Sequence, residues 1–345
     1  MRKNQFMNEF LTRETEMPLH VVHQQLKGHP HELQDMKEIC LITKNEANLC
    51  TAMEYLYDNG LIAELKELID KTKHAESEQL RKTSRIYQIM YNRKKLKAKQ
   101  LKPDDPVYCI KYVNRIRLKD TDYRLLILRD LVQIYCYFDI HQYGKIGTFN
   151  EKIKQNLAHI KDPLQYQLFK SRLDETLFVF HWKRNEMILS RKYGYRLLTE
   201  TNNIRKKIDI HNILAQGYLF ESYEQAMNHI CVAIEIAEQL GVERAIYGLK
   251  NYTLAFIAAY YKQTEGISSQ DMAERAHIAL AENDIDTCVR ILEDFETLSP
   301  FQQYYLGLAK QDKHLLRTSY QRFIEERDDY FYAKLPLEAL NTLDE

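Results

Sequence analysis

Turn-forming residues interrupt this chain of 345 residues at regular intervals. Between the turns, apolar residues recur every three or four positions, which is the period of an amphipathic helix. Four of the stretches between turns, at 1–27, 107–143, 242–265 and 270–298, measure roughly 20 to 40 residues, the length of one helix or of two helices joined by a tight turn. This regular spacing is typical of stacked helix pairs. The turns lie at 28–30, 103–106, 144–147, 162–163, 241, 266–269 and 299–300.

The composition excludes folds that need many turns. Ten glycines and seven prolines are too few to connect the strands of an all-β or α/β protein of this length. Apolar residues make up 45% of the chain, enough for a sizeable core. The whole chain is therefore predicted to be helical.

A small-residue pattern follows the turn that precedes Tyr223. Tyr223, Ala226, Ile230 and Ala233 place an aromatic side chain at the turn, then alternate small and large side chains along one helix face. Small side chains let two helices approach closely, and the large one fills the gap between neighbouring pairs. This is the pattern of a tetratricopeptide repeat.

The same pattern recurs twice nearer the C-terminus. Ile285 and Cys288 repeat it, and Leu316, Ser319 and Phe323 repeat it again. Cys288 and Ser319 lie 31 positions apart, near the nominal repeat length of about 34 residues. The predicted fold class is all-α, a right-handed superhelical solenoid of tetratricopeptide-like helix pairs. Its expected parts are an N-terminal helical region at 1–102, a superhelix at 103–329 and a terminal helix at 330–345.

Three runs of sequence, at 218–226, 40–70 and 334–340, resemble the AimR receptors of temperate phages. The resemblance extends from about residue 6 to residue 343. It implies a cytoplasmic regulator, not an enzyme, that binds a short secreted peptide inside a tetratricopeptide-like superhelix. That peptide controls the choice between lysis and lysogeny. No cofactor is implied.

The chain departs from the family pattern at two places. The family begins with a helix-turn-helix domain, but residues 6–10 match the point where that domain ends, and Gly28-His29-Pro30 leaves little room for a recognition helix. The DNA-reading part is therefore expected to be missing or vestigial. The family also carries a peptide-contacting Asn before the Tyr-x-x-Ala turn. Gln216 occupies that position and keeps the amide, one methylene further out.

The inner wall of such a superhelix comes mostly from the first helix of each pair. A short peptide needs amides for its backbone, carboxylates for a basic side chain, and aromatic or cationic groups at its ends. The alternative for each candidate is ordinary packing at the edge of the core. The candidate peptide-binding residues are Asp209, Asn212, Gln216, Asn251, Tyr252, Gln302, Tyr305 and Asp329.

A basic segment runs from Arg81 to Lys102 without an acidic residue. Such a helix face suits the phosphates of a nucleic acid, an acidic protein partner, or simply water. These alternatives stay open at the level of sequence. The candidate contact residues are Arg81, Arg85, Arg93, Lys94, Lys95 and Lys99.

An apolar segment closes the chain. A helix that begins at Pro336 would carry leucines that must either cap the solenoid or pair with a second copy. The resemblance favours a homodimer. The candidate dimer residues are Leu335, Leu337, Leu340 and Leu343.

Several function classes receive no support from the sequence. Lysines plus arginines balance aspartates plus glutamates at 49 each, which argues against nucleic acid or lipid binding by bulk charge. Six scattered cysteines indicate reduced thiols and no metal site, and no apolar run predicts a membrane span or signal peptide. Phosphate-loop, dinucleotide, metalloprotease and serine-hydrolase motifs are absent. The alternatives are a tetratricopeptide-like adaptor between proteins and a Rap-like antagonist of a response regulator.

Overall fold

The computed structural model describes residues 16–97 and 105–344, and these residues form helices and no β-strand. The predicted all-α fold class, built of stacked helix pairs, is confirmed. Two compact units divide the chain. The first unit comprises the described residues up to Ile140 together with Lys145–Thr176. The second comprises His141–Gly144 and the chain from Leu177 onward. No helix of the described segments is both long and apolar enough to cross a bilayer.

The first unit consists of successive helices joined by short turns. Its helices are α1 Leu19–Leu26, α2 Glu32–Ile42, α3 Glu46–Asp58, α4 Ile62–Thr72, α5 Glu78–Lys97, α6 Asp105–Asn114, α7 Tyr123–Asp139, α8 Gly144–Leu157 and α9 Pro163–Lys183, which continues past the division.

An ion pair lies in the core of the first unit. Arg172 and Glu54 are each 1% exposed, and Nη1 of Arg172 donates to both Glu54 carboxylate oxygens at 2.8 Å. The Tyr87 hydroxyl donates to the same carboxylate, and Nε of Arg172 donates to the Tyr135 hydroxyl at 3.1 Å. The guanidinium also lies 4.5 Å from the centre of the Tyr57 ring. Buried charges require such a complete set of partners.

The second unit continues with antiparallel helix pairs. Its helices are α10 Met187–Glu200, α11 Ile204–Gly217, α12 Tyr223–Gln239, α13 Glu243–Gly248, the π-helical segment Leu249–Leu254, α14 Ala255–Tyr260, α15 Met272–Ala281, α16 Ile285–Glu293, α17 Pro300–Lys310, α18 Lys313–Glu325 and α19 Lys334–Asp344.

Small residues lie where the helices of the second unit approach one another. Ala226, Ala233, Cys288 and Ser319 are fully buried, as the repeat pattern predicts. A Cβ atom on Gly307, in α17, would lie 2.9 Å from the Leu316 side chain of α18. The close contact between α17 and α18 therefore requires glycine at position 307.

Helix α12 begins where its sequence signals predict. Ser222 has an extended backbone, and its hydroxyl accepts a hydrogen bond from the backbone N–H of Gln225. A serine in this position satisfies an N–H group that has no partner within the helix. The Ser-Tyr-Glu-Gln turn thus fixes where the repeat helix starts.

Some sequence predictions concern parts of the chain that the structure does not describe. Residues 6–10, assigned to the end of a helix-turn-helix domain, and the expected boundary at 102–103 both lie outside the described residues. The segment Val21–Met36 contains the end of α1, a turn in which Gly28 has a φ of 81°, and the start of α2. The predicted domain boundaries stay predictions.

Candidate functional site

Helix α11 presents three of the predicted site residues on one face. Asn203 caps the helix, since its side-chain oxygen accepts from the N–H groups of Arg205 and Lys206 at 3.1 and 3.3 Å. Asp209, Asn212 and Gln216 follow at helical spacing. Asp209 is exposed, whereas Asn212 and Gln216 are half-buried.

Asn212 and Gln216 belong to one hydrogen-bond network. The Thr253 hydroxyl of the π-helical segment donates to Oδ1 of Asn212 at 2.8 Å. Nε2 of Gln216 donates to the Asn212 carbonyl at 3.2 Å, and the Tyr332 hydroxyl donates to Oε1 of Gln216 at 2.5 Å. The network brings together side chains from α11, the π-helical segment and the segment before α19. It fixes the orientation of two amides, each of which has further donor or acceptor capacity.

Two histidines form a second set of contacts, and one of them, His211, directly precedes Asn212 in α11. Nδ1 of His211 is 2.9 Å from Nδ1 of His229, and Nε2 of His229 is 3.1 Å from the Tyr195 hydroxyl. The Tyr195 and Tyr218 hydroxyls are 2.9 Å apart. Tyr218 also stacks on the His229 ring. Residues from α10, α11 and α12 thereby form a connected cluster, the His–Tyr cluster.

Burial controls the protonation of the His–Tyr cluster. It lowers the pKa of His211 to about 4, and the nearby His229 and Lys207 add to the effect. Burial also lowers the pKa of His229. Both imidazoles are therefore neutral at neutral pH, so that one Nδ1 donates and the other accepts. Among the described residues there is no group of three or more potential metal-binding side chains.

Arg191 of α10 adds a cation next to the cluster. Its guanidinium lies 4.3 Å from the centre of the Tyr218 ring and pairs with Glu221. Helix α11 and its neighbours α10 and α12 thus carry amide, aromatic and charged groups. These are the side-chain types that bind the backbone, the side chains and the ends of a short peptide.

A model of the AimR transcriptional regulator-like family matches residues 32–342. The chain belongs to this family. A Bacillus anthracis protein, the uncharacterised pXO2-35, is 26% identical over 230 residues, covering 63% of this chain and 84% of that protein. The solved structure of phAimR-Ligand superposes with a TM-score of 0.75 at 18% identity, covering 96% of this chain and 98% of that one. The structure of selenomethionine phAimR gives 0.65 at 18% identity, with coverages of 99% and 91%.

Two other peptide-binding candidates of this AimR-family chain have their polar groups engaged locally. Asn251 of the π-helical segment accepts from the Gln270 N–H at 2.6 Å and donates to the Tyr247 carbonyl at 3.0 Å, which secures the turn before α15. Gln302 completes the cap of α17, where its side-chain oxygen accepts from the Ser299 N–H at 2.7 Å. Peptide contact through either residue stays a prediction.

The remaining peptide-binding candidates differ in exposure. Tyr305 is fully buried and donates to Glu274 at 3.2 Å. Asp329 is also buried and pairs with Nζ of Lys183 at 2.8 Å. Tyr252 lies on the surface. The structure thus brings Asn212 and Gln216 into direct contact, and all eight assignments stay predictions.

The candidate cations of α5 have different environments. Arg93 is buried, where it binds both carboxylate oxygens of Asp139 at 2.6 and 2.9 Å. Lys94 lies 4.0 Å above the centre of the Tyr57 ring. Arg81 and Arg85 are exposed and line a pocket. The Lys95 side chain and Lys99 lie outside the described residues.

The candidate dimer leucines of α19 divide between the core and the surface. Leu335 is buried, and Leu340 and Leu343 pack against the core of the second unit. Leu337 is 42% exposed. The terminal helix therefore caps the second unit, and Leu337 is the candidate that remains accessible to a second copy.

Neither the His–Tyr cluster nor the contact of Tyr332 was predicted from the sequence. His211 lies next to Asn212, but a histidine at that position predicts packing as readily as a role in a site. The Tyr332 hydroxyl reaches Gln216 across 116 positions of sequence, and no local pattern signals that contact.

Proposed function

We propose that this chain is a cytoplasmic peptide receptor of the AimR type that controls expression of genes for lysis and lysogeny. Membership of the AimR-like regulator family supports a regulatory role. The peptide would contact the face of α11 that carries Asn212 and Gln216, next to the His–Tyr cluster.

The observation that carries the proposal is the amide pair on α11. Asn212 and Gln216 are oriented by hydrogen bonds to Thr253 and Tyr332 but are only half-buried. Amides held in this way can exchange donors and acceptors with a peptide backbone at little entropic cost. Exposed Asp209, on the same face, offers a carboxylate to a basic side chain.

Calorimetry tests peptide binding directly. Short synthetic peptides, taken from secreted precursors encoded near the gene, are titrated into the full chain. We expect saturable heat for one peptide and none for a scrambled version of it. If every such peptide gives no heat, the result favours the adaptor between proteins.

A matched pair of variants locates the site. Gln216→Ala removes an amide of the network, and we expect it to weaken peptide binding by at least about tenfold, which corresponds to about 1.4 kcal/mol. Gln239→Ala removes a glutamine near the end of α12, and we expect unchanged affinity. Equal effects of the two variants would place the peptide elsewhere.

A homodimer through α19 is the second part of the proposal. Leu337→Lys puts a charge on the exposed side of α19, and we expect it to convert a dimer into a monomer in light scattering after size exclusion. Leu240→Lys, at an exposed leucine after α12, is the control and should leave the mass unchanged. A dimer that survives Leu337→Lys would show that α19 only caps the second unit.

The regulatory output is tested in cells. We expect a reporter of the controlled genes to change when the peptide is supplied, and Gln216→Ala to abolish this response while Gln239→Ala retains it. A reporter that responds equally with Gln216→Ala would contradict the assignment of the site.

A further inference from the structure

A strongly basic pocket lies in the first unit. It has a volume of about 580 Å³ and is bordered by α4, α5 and the turn after α6. Buried Ile69 and Ile116 form part of its wall. The cations around it are Lys73, Arg81, Lys82, Arg85, Arg115 and Arg117.

The charge of this pocket is poorly balanced by its own walls. Glu78 is the one carboxylate among the lining residues, and it pairs with Lys82 at 2.8 Å, while Lys73 pairs with Asp70, outside the lining, at 3.1 Å. Arg85, Arg115 and Arg117 are exposed. A concave surface lined with one sign of charge attracts ligands of the opposite sign, and guanidinium groups match the geometry of phosphate oxygens.

Two exposed aromatic rings lie on α6, the helix that precedes the lining residues Arg115 to Arg117. Tyr108 and Tyr112 of α6 are 55% and 50% exposed. Lys111 lies 5.8 Å from the centre of the Tyr108 ring, and Arg115 lies 5.7 Å from the centre of the Tyr112 ring. Arg115 therefore belongs both to the pocket and to this aromatic surface. The two tyrosines are one helical turn apart, about 6 Å along the axis.

We propose that this surface binds single-stranded nucleic acid, with phosphates in the basic pocket and bases on Tyr108 and Tyr112. Proteins that bind single strands combine a basic groove with aromatic rings on which bases stack. In a duplex the faces of the bases are covered by neighbouring base pairs, so the bases could not stack on Tyr108 and Tyr112. The zero net charge of the chain does not oppose binding, because the cations here are locally concentrated.

Fluorescence anisotropy of the full chain without peptide tests this proposal separately from peptide binding. The probes are a labelled single-stranded 12-mer of mixed sequence, as RNA and as DNA, and the matching DNA duplex. We expect at least about tenfold tighter binding of a single strand than of the duplex. Affinity should fall with salt. A plot of the logarithm of the binding constant against the logarithm of the salt concentration should have a slope of about −0.7 for each phosphate contact.

Paired variants separate stacking from charge. Tyr108→Ala and Tyr112→Ala should each weaken single-strand binding about 5- to 100-fold, as the loss of one stacked base predicts. Arg85→Glu combined with Arg117→Glu should abolish binding and its salt dependence. The controls are Tyr166→Ala, at an exposed tyrosine of α9, and Arg290→Glu on α16, which should bind as the unaltered chain does.

Circular dichroism and melting temperature establish that every variant is folded. Equal affinity for duplex and single strand, or tyrosine variants that bind normally, would overturn the proposal in favour of simple polyanion binding. Competition by an acidic peptide at the same charge concentration as the 12-mer would assign the pocket to a protein partner. Absence of binding at low salt would also overturn it.

Discussion

Arg172 and Glu54 form a buried ion pair, with Nη1 of Arg172 2.8 Å from both oxygens of the Glu54 carboxylate. The two residues lie 118 positions apart in the sequence. Their contact joins α3 to α9 in the first unit. Removal of one partner from such a pair leaves a buried charge without compensation.

Glu54→Gln is therefore expected to destabilise the fold by about 3 to 5 kcal/mol, because the guanidinium of Arg172 would remain buried opposite a neutral amide. Urea unfolding followed by circular dichroism measures the loss. The control is Glu293→Gln, which removes a surface pair with Lys310 at 2.6 Å and should cost less than about 1 kcal/mol. Similar costs for both variants would show that the Glu54 carboxylate is not needed.

The His–Tyr cluster predicts a dependence of stability on pH. His211 has a folded-state pKa of about 4, below its ordinary value of 6.5, so the unfolded chain takes up a proton more readily than the folded one. This residue's effect on stability is therefore neutral above about pH 6.5 and increasingly unfavourable as pH falls towards 4. We expect the melting temperature of His211→Gln to fall less between pH 7 and pH 4.5 than that of the unaltered chain. His314→Gln, at an exposed histidine, is the control and should lose as much melting temperature as the unaltered chain. If His211→Gln also loses as much as the unaltered chain, His211 is not a neutral buried imidazole.

Substitution by alanine is expected to have opposite effects on stability at Gly307, where α17 packs against α18, and at Gly248 of α13. Gly307→Ala places a Cβ 2.9 Å from Leu316, so we expect a loss of about 1 to 3 kcal/mol from overpacking. Gly248→Ala meets nothing within 4 Å, so the higher helix propensity of alanine should stabilise it by about 0.5 to 1 kcal/mol. Chemical denaturation of both variants checks the difference in sign.

Removal of the Asn251 amide is expected to loosen the turn before α15. Asn251→Ala removes two hydrogen bonds, since Asn251 accepts from the Gln270 N–H and donates to the Tyr247 carbonyl. We expect a loss of about 1 to 3 kcal/mol and faster amide hydrogen exchange at 269–271. Asn228→Ala, on α12, is the control. Unchanged exchange at 269–271 would show that the turn is held by other contacts.

The sequence predicted the local features of the fold well. Burial of Ala226, Cys288 and Ser319 followed from their spacing, because a helix face repeats every three to four residues. The start of α12 followed from the turn predicted before Tyr223, where Ser222 caps the helix. The all-α fold required no knowledge of long-range contacts.

Contacts between distant residues could not be predicted. The helical period of α5 places Arg93 seven residues after buried Ile86, yet only the structure shows Asp139 opposite it. The basic segment therefore separates into buried Arg93 and accessible Arg81 and Arg85. Arg115, which also lines the pocket, lies outside the basic segment from Arg81 to Lys102.

The hydrogen bond from Tyr332 to Gln216 gives the last residues of the chain a role beyond covering the core. A stop codon or a frameshift before residue 332 would remove a partner of an amide on α11 as well as the final helix. With the proposed peptide site and the proposed dimer helix, deletions at the C-terminal end would change ligand recognition and assembly together, whereas a point substitution such as Leu337→Lys would change assembly alone.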